Sequence, residues 1–445
     1  MGYAVPIARH RRTVIYACLA VIIVSLLVAF SQQRWALVDI FDTTPRTMTP
    51  SLGVTGPQKH KLRVIATSKG KTVSLSPIQA IQPEPTQTTH CLDVLGHMTQ
   101  GRWRTSVLTR KESIAILVFL THPEARYRFP PEYQRRDAKC GNVSHDNPKY
   151  VPWIRALCNP LGQTPCCYNN HCEERPVHEC FCPNCIDVRR EKHAEFSTWV
   201  PSDTRCKYKT YSAKEACRVL TGTVLHFVGD SFIRHLHTAM LLLLSGNVQT
   251  GALNAGVPTD ILGKCSGWYM FTEKTCRHHL NYNYVGCGGS VRVVMKYYYN
   301  SGTGRRLKEE TLRELKTPRT MLVMGIATHD AHSSKRVKGG FLSPVLNAMK
   351  NMSLTWPKLL WVDQHAPGLT KTPWDLEKSR EKAKTFNSEM EPYLREWSVP
   401  ILKTYNLTDG MCSFDSEHYG RGINMAKANL LLNYIEEIQR KGEWS

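Results

Sequence analysis

Along the second half of the chain, apolar positions alternate between two patterns. Short apolar runs read as strands: "TVLHFV" (223–228), "SVRVVMKYYY" (290–299), "TMLVMGI" (320–326), "KLLWVD" (358–363) and "VPILKTY" (399–405). Longer runs with helical spacing lie between and after them: "FIRHLHTAMLLLLS" (232–245), "GRRLKEETLRELK" (304–316), "FLSPVLNAMKN" (341–351), "DLEKSREKAKTFNSEMEPYLREW" (375–397) and "INMAKANLLLNYIEEIQR" (423–440). In the last of these, Ile423, Ala426, Leu430, Asn433 and Tyr434 follow helical spacing, with the charges mainly at the end. Strand–helix alternation predicts a three-layer α/β domain with a parallel sheet over residues 216–445. The active site of such a sheet lies beyond the carboxyl ends of its strands.

Upstream the periodicity fades. Residues 91–215 form a cysteine-rich region centred on "CNPLGQTPCCYNNHCEERPVHECFCPNC", where crosslinks must do much of the holding. "HECFCPNC" also has zinc-like spacing, with Cys182 and Cys185 near His171 and His178. Residues 31–90 are rich in Thr, Ser and Pro and read as an extended stem that cannot bury enough apolar surface to fold. Before it, the uncharged run "TVIYACLAVIIVSLLVAF" (13–30) follows a short tail (1–12) carrying Arg9, Arg11 and Arg12. Length and flanking charge predict a transmembrane signal anchor with a cytosolic N-terminus and a lumenal body. A cleaved signal peptide is the rival, though "AFSQQ" is a poor cleavage site.

Composition is that of a globular protein, 42% hydrophobic and 21% charged, with a net charge of +21. The basic balance favours an anionic partner, and the lumenal topology argues against nucleic acid. Sixteen cysteines suit an oxidising compartment and favour disulfides over zinc, so no metal is expected. Leaving out Cys18 in the membrane run, an odd number remains, so one thiol is free or pairs between chains. Sequons at Asn142, Asn351 and Asn406 are candidate glycosylation sites.

Two short segments carry candidate chemistry. Gly229-Asp230-Ser231 ends the first strand of the α/β region and opens its first helix. A serine there meets unpaired N–H groups and a helix dipole that favour a developing oxyanion. The same residues are also good helix caps. Asp415 and His418, in "DSEHYG", follow the last strand and reach the same predicted edge. Histidine can take a serine's proton, and a carboxylate can hold its tautomer. His235, His237, His329, His332 and His365 are competing histidines, of which His329 is kept as a substrate or oxyanion candidate.

"FVGDSFIRHL" and "DSEHYG" resemble the GDS and DxxH blocks of the SGNH/GDSL superfamily. The nearer resemblance is to its PC-esterase-like branch: trichome-birefringence-like polysaccharide O-acetyltransferases, the sialic-acid O-acetyltransferase domain and NXPE proteins. "TWVPSDTRCKYKTYSAKEACRVLTGTVLHFVGDS" and "SEHYGRGINMAKANLLLNYI" resemble flanking blocks, and Arg234 matches an arginine common in the branch. The similarity spans about residues 195–440, with a fainter match in "CLDVLGHMTQGRW" (91–103).

The resemblance implies an SGNH-hydrolase-like fold with Ser231 as nucleophile, His418 as base and Asp415 as its orienter. It also implies an acetyl-enzyme, acetyl-CoA as donor with no tightly bound cofactor, and a glycan acceptor. The implied protein is a single-pass Golgi membrane O-acetyltransferase. A carbohydrate acetyl esterase and an inactive glycan- or protein-binding relative are the alternatives. The superfamily's oxyanion asparagine is missing from "VMGIATHDAH". Gly325, Thr328 and His329 occupy that region, and Gly288 in "GCGGS" is the candidate for the oxyanion glycine, with Gly229, Asp230 and Arg234 as further oxyanion or substrate candidates.

Overall fold

The computed structural model describes residues 91, 93–116, 134–145, 154–272, 274–372 and 379–444. The described residues all fall within one compact unit, Pro83–Ser445. The predicted tail, membrane run and stem all lie outside the described residues. Among the described residues, no helix is long and apolar enough to cross a membrane.

Among the described residues, four strands precede the α/β region: β1 (Gly101–Thr105), β2 (Cys166–Tyr168), β3 (His171–Glu173) and β4 (Ser197–Pro201). β1 pairs with β4 and β2 with β3, both antiparallel. Then come α1 (Ala213–Leu220), β5 (Thr223–Gly229), α2 (Ser231–Ser245), β6 (Asn283–Gly286) and β7 (Val291–Tyr297). They are followed by α3 (Gly304–Glu310), β8 (Thr320–Gly325), α4 (Ser343–Asn351) and β9 (Lys358–Val362). The last elements are α5 (Arg380–Glu396), β10 (Ile401–Leu402) and α6 (Arg421–Arg440).

All five predicted strands enter one six-stranded sheet of order β10-β9-β8-β5-β7-β6. Five of its strands run parallel, and only β6 is antiparallel, forming a hairpin with β7. The register aligns Gly229 with both Tyr297 and Gly325, so the carboxyl ends of β5, β7 and β8 finish level.

Helices cover both faces. Leu225 and Phe227 of β5 and Val293 of β7 pack with Ile233, Leu236 and Met240 of α2 and Leu430 and Leu431 of α6. On the other face Val228, Leu322 and Met324 meet Leu307 of α3, Leu346 of α4 and Phe386 of α5. Each fully buried side chain of this size contributes about 1.5–3 kcal/mol. α2 is buried from Ile233 through Leu244, which accounts for its all-round apolar sequence.

The predicted boundary at 215/216 marks a change of composition, while the packing runs across it. Trp103 and Trp199 share the core of α2 and α6, and the Trp103 indole donates to the Leu407 carbonyl at 2.8 Å. Val94 N–H donates to Glu437 of α6 at 2.9 Å.

Seven disulfides are formed among the described residues. Four of them use the eight cysteines between Cys140 and Cys185: 140–167, 158–172, 166–180 and 182–185. The others join Cys91 to Cys206, Cys217 to Cys287 and Cys265 to Cys276. Cys182 and Cys185 therefore have no thiolate to offer the zinc alternative. The sulfurs of Cys140, Cys158 and Cys172 lie close together, but they too are spent in disulfides. Cys412 is the free thiol among the described residues. Asn142, Asn351 and Asn406 are all exposed.

Candidate active site

At the end of β5 the chain turns sharply into α2, and the turn needs glycine. A Cβ on Gly229 would lie 2.0 Å from the Gly325 carbonyl oxygen and 2.8 Å from the Ile233 side chain. A Cβ on Gly325 would meet Ile233 and the Val362 carbonyl at 2.9 Å. The two glycines let the first turn of α2 sit directly on the sheet edge. Their part is close packing beneath the site.

Asp230 caps α2, its Oδ1 accepting the Phe232 N–H at 3.0 Å. The carboxyl is 1% exposed, and burial raises its pKa to about 6, against the lowering effects of the Phe232 N–H and the His418 charge. Ser231 is the first residue of the helix, so its N–H has no intrahelical acceptor.

The partner loop comes from the other end of the domain. Asp415 Oδ1 accepts the backbone N–H groups of Glu417 at 3.0 Å and His418 at 2.7 Å. That turn swings Oδ2 to within 2.7 Å of His418 Nδ1. His418 Nε2 then lies 2.6 Å from Ser231 Oγ. With Nδ1–H donated to the carboxylate, Nε2 is left to accept the serine proton. The three side chains form one continuous relay, and His418 and Asp415 are only 11% and 10% exposed.

Several contacts pin the loop. Ser413 Oγ donates to the His418 carbonyl at 2.7 Å, and the Gly368 N–H donates to the Ser416 carbonyl at 2.9 Å. Lys371 pairs with the Glu417 carboxylate at 2.8 Å. His365 Nε2 lies 2.6 Å from the Glu417 carbonyl, and Lys427 Nζ lies 3.1 Å from His365 Nδ1. An ammonium can only donate, so Nδ1 accepts and Nε2 carries the proton given to Glu417. Burial lowers the Lys427 pKa to about 8. His365 was legible in the sequence only as a competitor for the base. The fold makes it a support for the loop, and Lys427 carried no sequence signal.

The other histidines divide by position. Burial and the Arg234 charge hold His235 well below its usual range, and its ring lies 5.0 Å from that of His418. Burial lowers His237 to about 3, deep against Phe227 and Tyr282. His329 is exposed at the end of β8 and stacks on Tyr299 at 3.8 Å.

Thr328 is nearer the site. Its Oγ1 is buried without a hydrogen-bond partner, beside a cavity of about 20 Å³ shared with Phe232, His332 and His365. Arg234 lies one turn after Ser231 and is 4% exposed. Gly288 is a correction. The antiparallel hairpin puts it in the β6–β7 turn, at the amino end of β7, whereas Ser231 lies at the carboxyl end of the parallel strand β5. Gly288 therefore lies at the edge of the sheet opposite Ser231.

No protein-family model matches the chain, and no curated protein matches it. Among solved structures, a member of the lipolytic G-D-S-L family from Veillonella parvula DSM 2008 is similar at 12% identity and a TM-score of 0.27, over 47% of this chain and 96% of that one. A variant of an acetyl-xylooligosaccharide esterase from Geobacillus is similar at 12% identity and a TM-score of 0.27, over 48% of this chain and 94% of its own. Likeness at that level carries no argument about activity, and the chemistry rests on the geometry.

Proposed function

We propose that the protein is a serine acyltransferase that moves acetyl groups to the hydroxyls of a glycan. The observation that supports this reading is the unbroken relay from Asp415 through His418 to Ser231, with spacings of 2.7 Å and 2.6 Å. Such a relay raises the nucleophilicity of a hydroxyl that is otherwise inert at neutral pH.

In the proposed cycle Ser231 Oγ attacks the acetyl carbonyl while His418 takes its proton. Asp415 steadies the imidazolium so formed. The oxyanion is held by the Ser231 N–H at the head of α2 and by the Thr328 hydroxyl, the unpartnered donor that stands in for the absent asparagine. His418 returns the proton to the leaving thiolate of acetyl-CoA, leaving an acetyl ester on Ser231. A sugar hydroxyl then gives its proton to His418 and attacks that ester, and Ser231 is released. Water in place of the sugar would make the same protein an esterase. The signal-anchor sequence, stem and disulfide-rich body support a Golgi lumenal setting.

The test uses the full chain in detergent with labelled acetyl-CoA, a glycan panel and a simple acetyl ester. Acetyl turnover is expected and should vanish in Ser231→Ala and in His418→Ala. Label on glycan supports the transferase, and free acetate alone replaces it with the esterase. Unchanged turnover in both variants overturns the triad.

A further inference from the structure

Between α5 and the ends of β9 and β10 lies an open cleft of about 220 Å³. That is room for one sugar ring, and it is below the roughly 300 Å³ at which pockets for drug-sized ligands begin. Ile401 and Leu394 give the cleft an apolar wall, Ser388 and Lys384 a polar one, and Tyr405 an aromatic one. Such mixed walls suit a sugar, which has apolar C–H faces and a polar rim. Two donors of the lining residues are unused among the described residues. The Trp361 indole N–H, on a side chain 1% exposed, and the Tyr405 hydroxyl are both buried without a hydrogen-bond partner. Unmet buried donors cost free energy until something accepts from them.

The cleft carries its own occupant's attachment point. Asn406 is exposed, opens the sequon Asn406-Leu407-Thr408 and lines this same cleft. Its Nδ2 donates to the side-chain oxygen of Gln100, another lining residue, which fixes the amide against the cleft. A glycosylated amide keeps one N–H, enough for that bond. The other two sequons, at Asn142 and Asn351, do not border this cleft.

We propose that Asn406 carries an N-linked N-acetylglucosamine whose ring is seated in the cleft between α5 and β10, with its oxygens accepting from Tyr405 and Trp361. The modification rests on the lumenal setting proposed above. In the transfer, C1 of the sugar bonds to Asn406 Nδ2, the bond from C1 to a lipid-linked diphosphate breaks, and the amide gives up one proton. Thr408 is fully buried in the folded chain, so the sugar is attached before the fold closes.

The seated sugar braces the strand end that supports the catalytic loop. Asn387 of α5, which also lines the cleft, exchanges two hydrogen bonds with the Gln364 backbone. The Gln364 N–H donates to Asn387 Oδ1 at 2.9 Å, and Asn387 Nδ2 donates to the Gln364 carbonyl at 2.7 Å. The next residue, His365, holds the Glu417 carbonyl beside His418. A sugar between α5 and β10 keeps that helix on the end of β9.

The full chain is made in cells that leave only high-mannose glycans and is purified in detergent. Glycopeptide mass spectrometry should find Asn406 occupied. Endoglycosidase H then leaves the first N-acetylglucosamine at each site, and peptide N-glycosidase removes it. Hydrogen exchange over α5 should be equal in the untrimmed and singly trimmed protein and faster in the bare one. The melting temperature should fall by at least about 2 °C at the second step only. Asn142→Gln and Asn351→Gln should keep this response, and Asn406→Gln should abolish it. Resistance of the Asn406 sugar to release until the protein is unfolded also supports the seat. An occupied Asn406 whose sugar leaves α5 exchange unchanged overturns it. Asn406 bare while Asn142 or Asn351 is occupied overturns the modification and leaves the lumenal setting standing. All three sequons bare overturn both. No measurement here uses Ser231 chemistry, so a failed triad leaves the seat standing.

Discussion

On the proposed function, Asp415→Asn should abolish acetyl turnover without unfolding the protein. Asp415 Oδ1 is committed to two backbone donors, the N–H groups of Glu417 and His418. In the variant the amide oxygen must stay there, because an NH₂ group would face two N–H groups. The amide NH₂ therefore takes the place of Oδ2 and points at His418 Nδ1. Nδ1 becomes the acceptor, the ring proton moves to Nε2, and Ser231 loses its base. Recovering the reactive tautomer sets two donors face to face in a nearly buried site, at about 1–3 kcal/mol. The carboxylate's charge-assisted bond to the imidazolium is lost as well, another ~1.5–3 kcal/mol. Together these are about 2.5–6 kcal/mol, or roughly a 10²- to 10⁴-fold fall in kcat at 1.36 kcal/mol per decade. The assay is kcat for an acetyl ester alongside the thermal melt of the same preparation. A folded Asp415→Asn protein within tenfold of wild type would refute the reasoning, since the carboxylate would then not be setting the tautomer.

Gly229→Ala should cost at least about 3 kcal/mol, because its Cβ would lie 2.0 Å from backbone that cannot move aside, and a urea midpoint equal to wild type counts against this. The buried Asp230 carboxyl, with its pKa raised to about 6 from 3.8, binds its proton more tightly in the folded state than in the unfolded one. Its contribution to stability is therefore full below pH ~4 and declines by up to about 3 kcal/mol as pH rises to 6, so Asp230→Asn should gain on wild type at pH 7 relative to pH 4. An identical stability difference at the two pH values contradicts that titration. Lys427→Met frees the His365 tautomer and with it the Glu417 carbonyl, so kcat should drop about tenfold with KM little changed. A rate equal to wild type in a folded variant would mean that the Lys427–His365 pair does not position the loop.

The alternation of apolar runs located five strands and five helices because burial on a sheet or helix face is written locally, in periods of 2 and 3.6. β6 escaped it. "NYVG" is four residues long, half-exposed and without an apolar alternation, so nothing distinguishes it from a loop until it pairs with β7. The misplacement of Gly288 follows from that omission, since a period says nothing about strand direction. Without the hairpin, "GCGGS" could be assigned to either sheet edge.

Ser231, Asp415 and His418 were each visible as residues with suitable neighbours in sequence. The turn that joins Asp415 to His418 is local, and the sequence by itself determined it. What only the tertiary structure decided is the 2.6 Å approach of His418 to Ser231 across 187 positions of chain. That contact exists because parallel strands order their carboxyl ends along one edge, and helices on both faces hold them there. The pairing of His365 with Lys427 was decided in the same way. Their side chains come from segments with unrelated periods, and the fold and the burial of both groups bring them together.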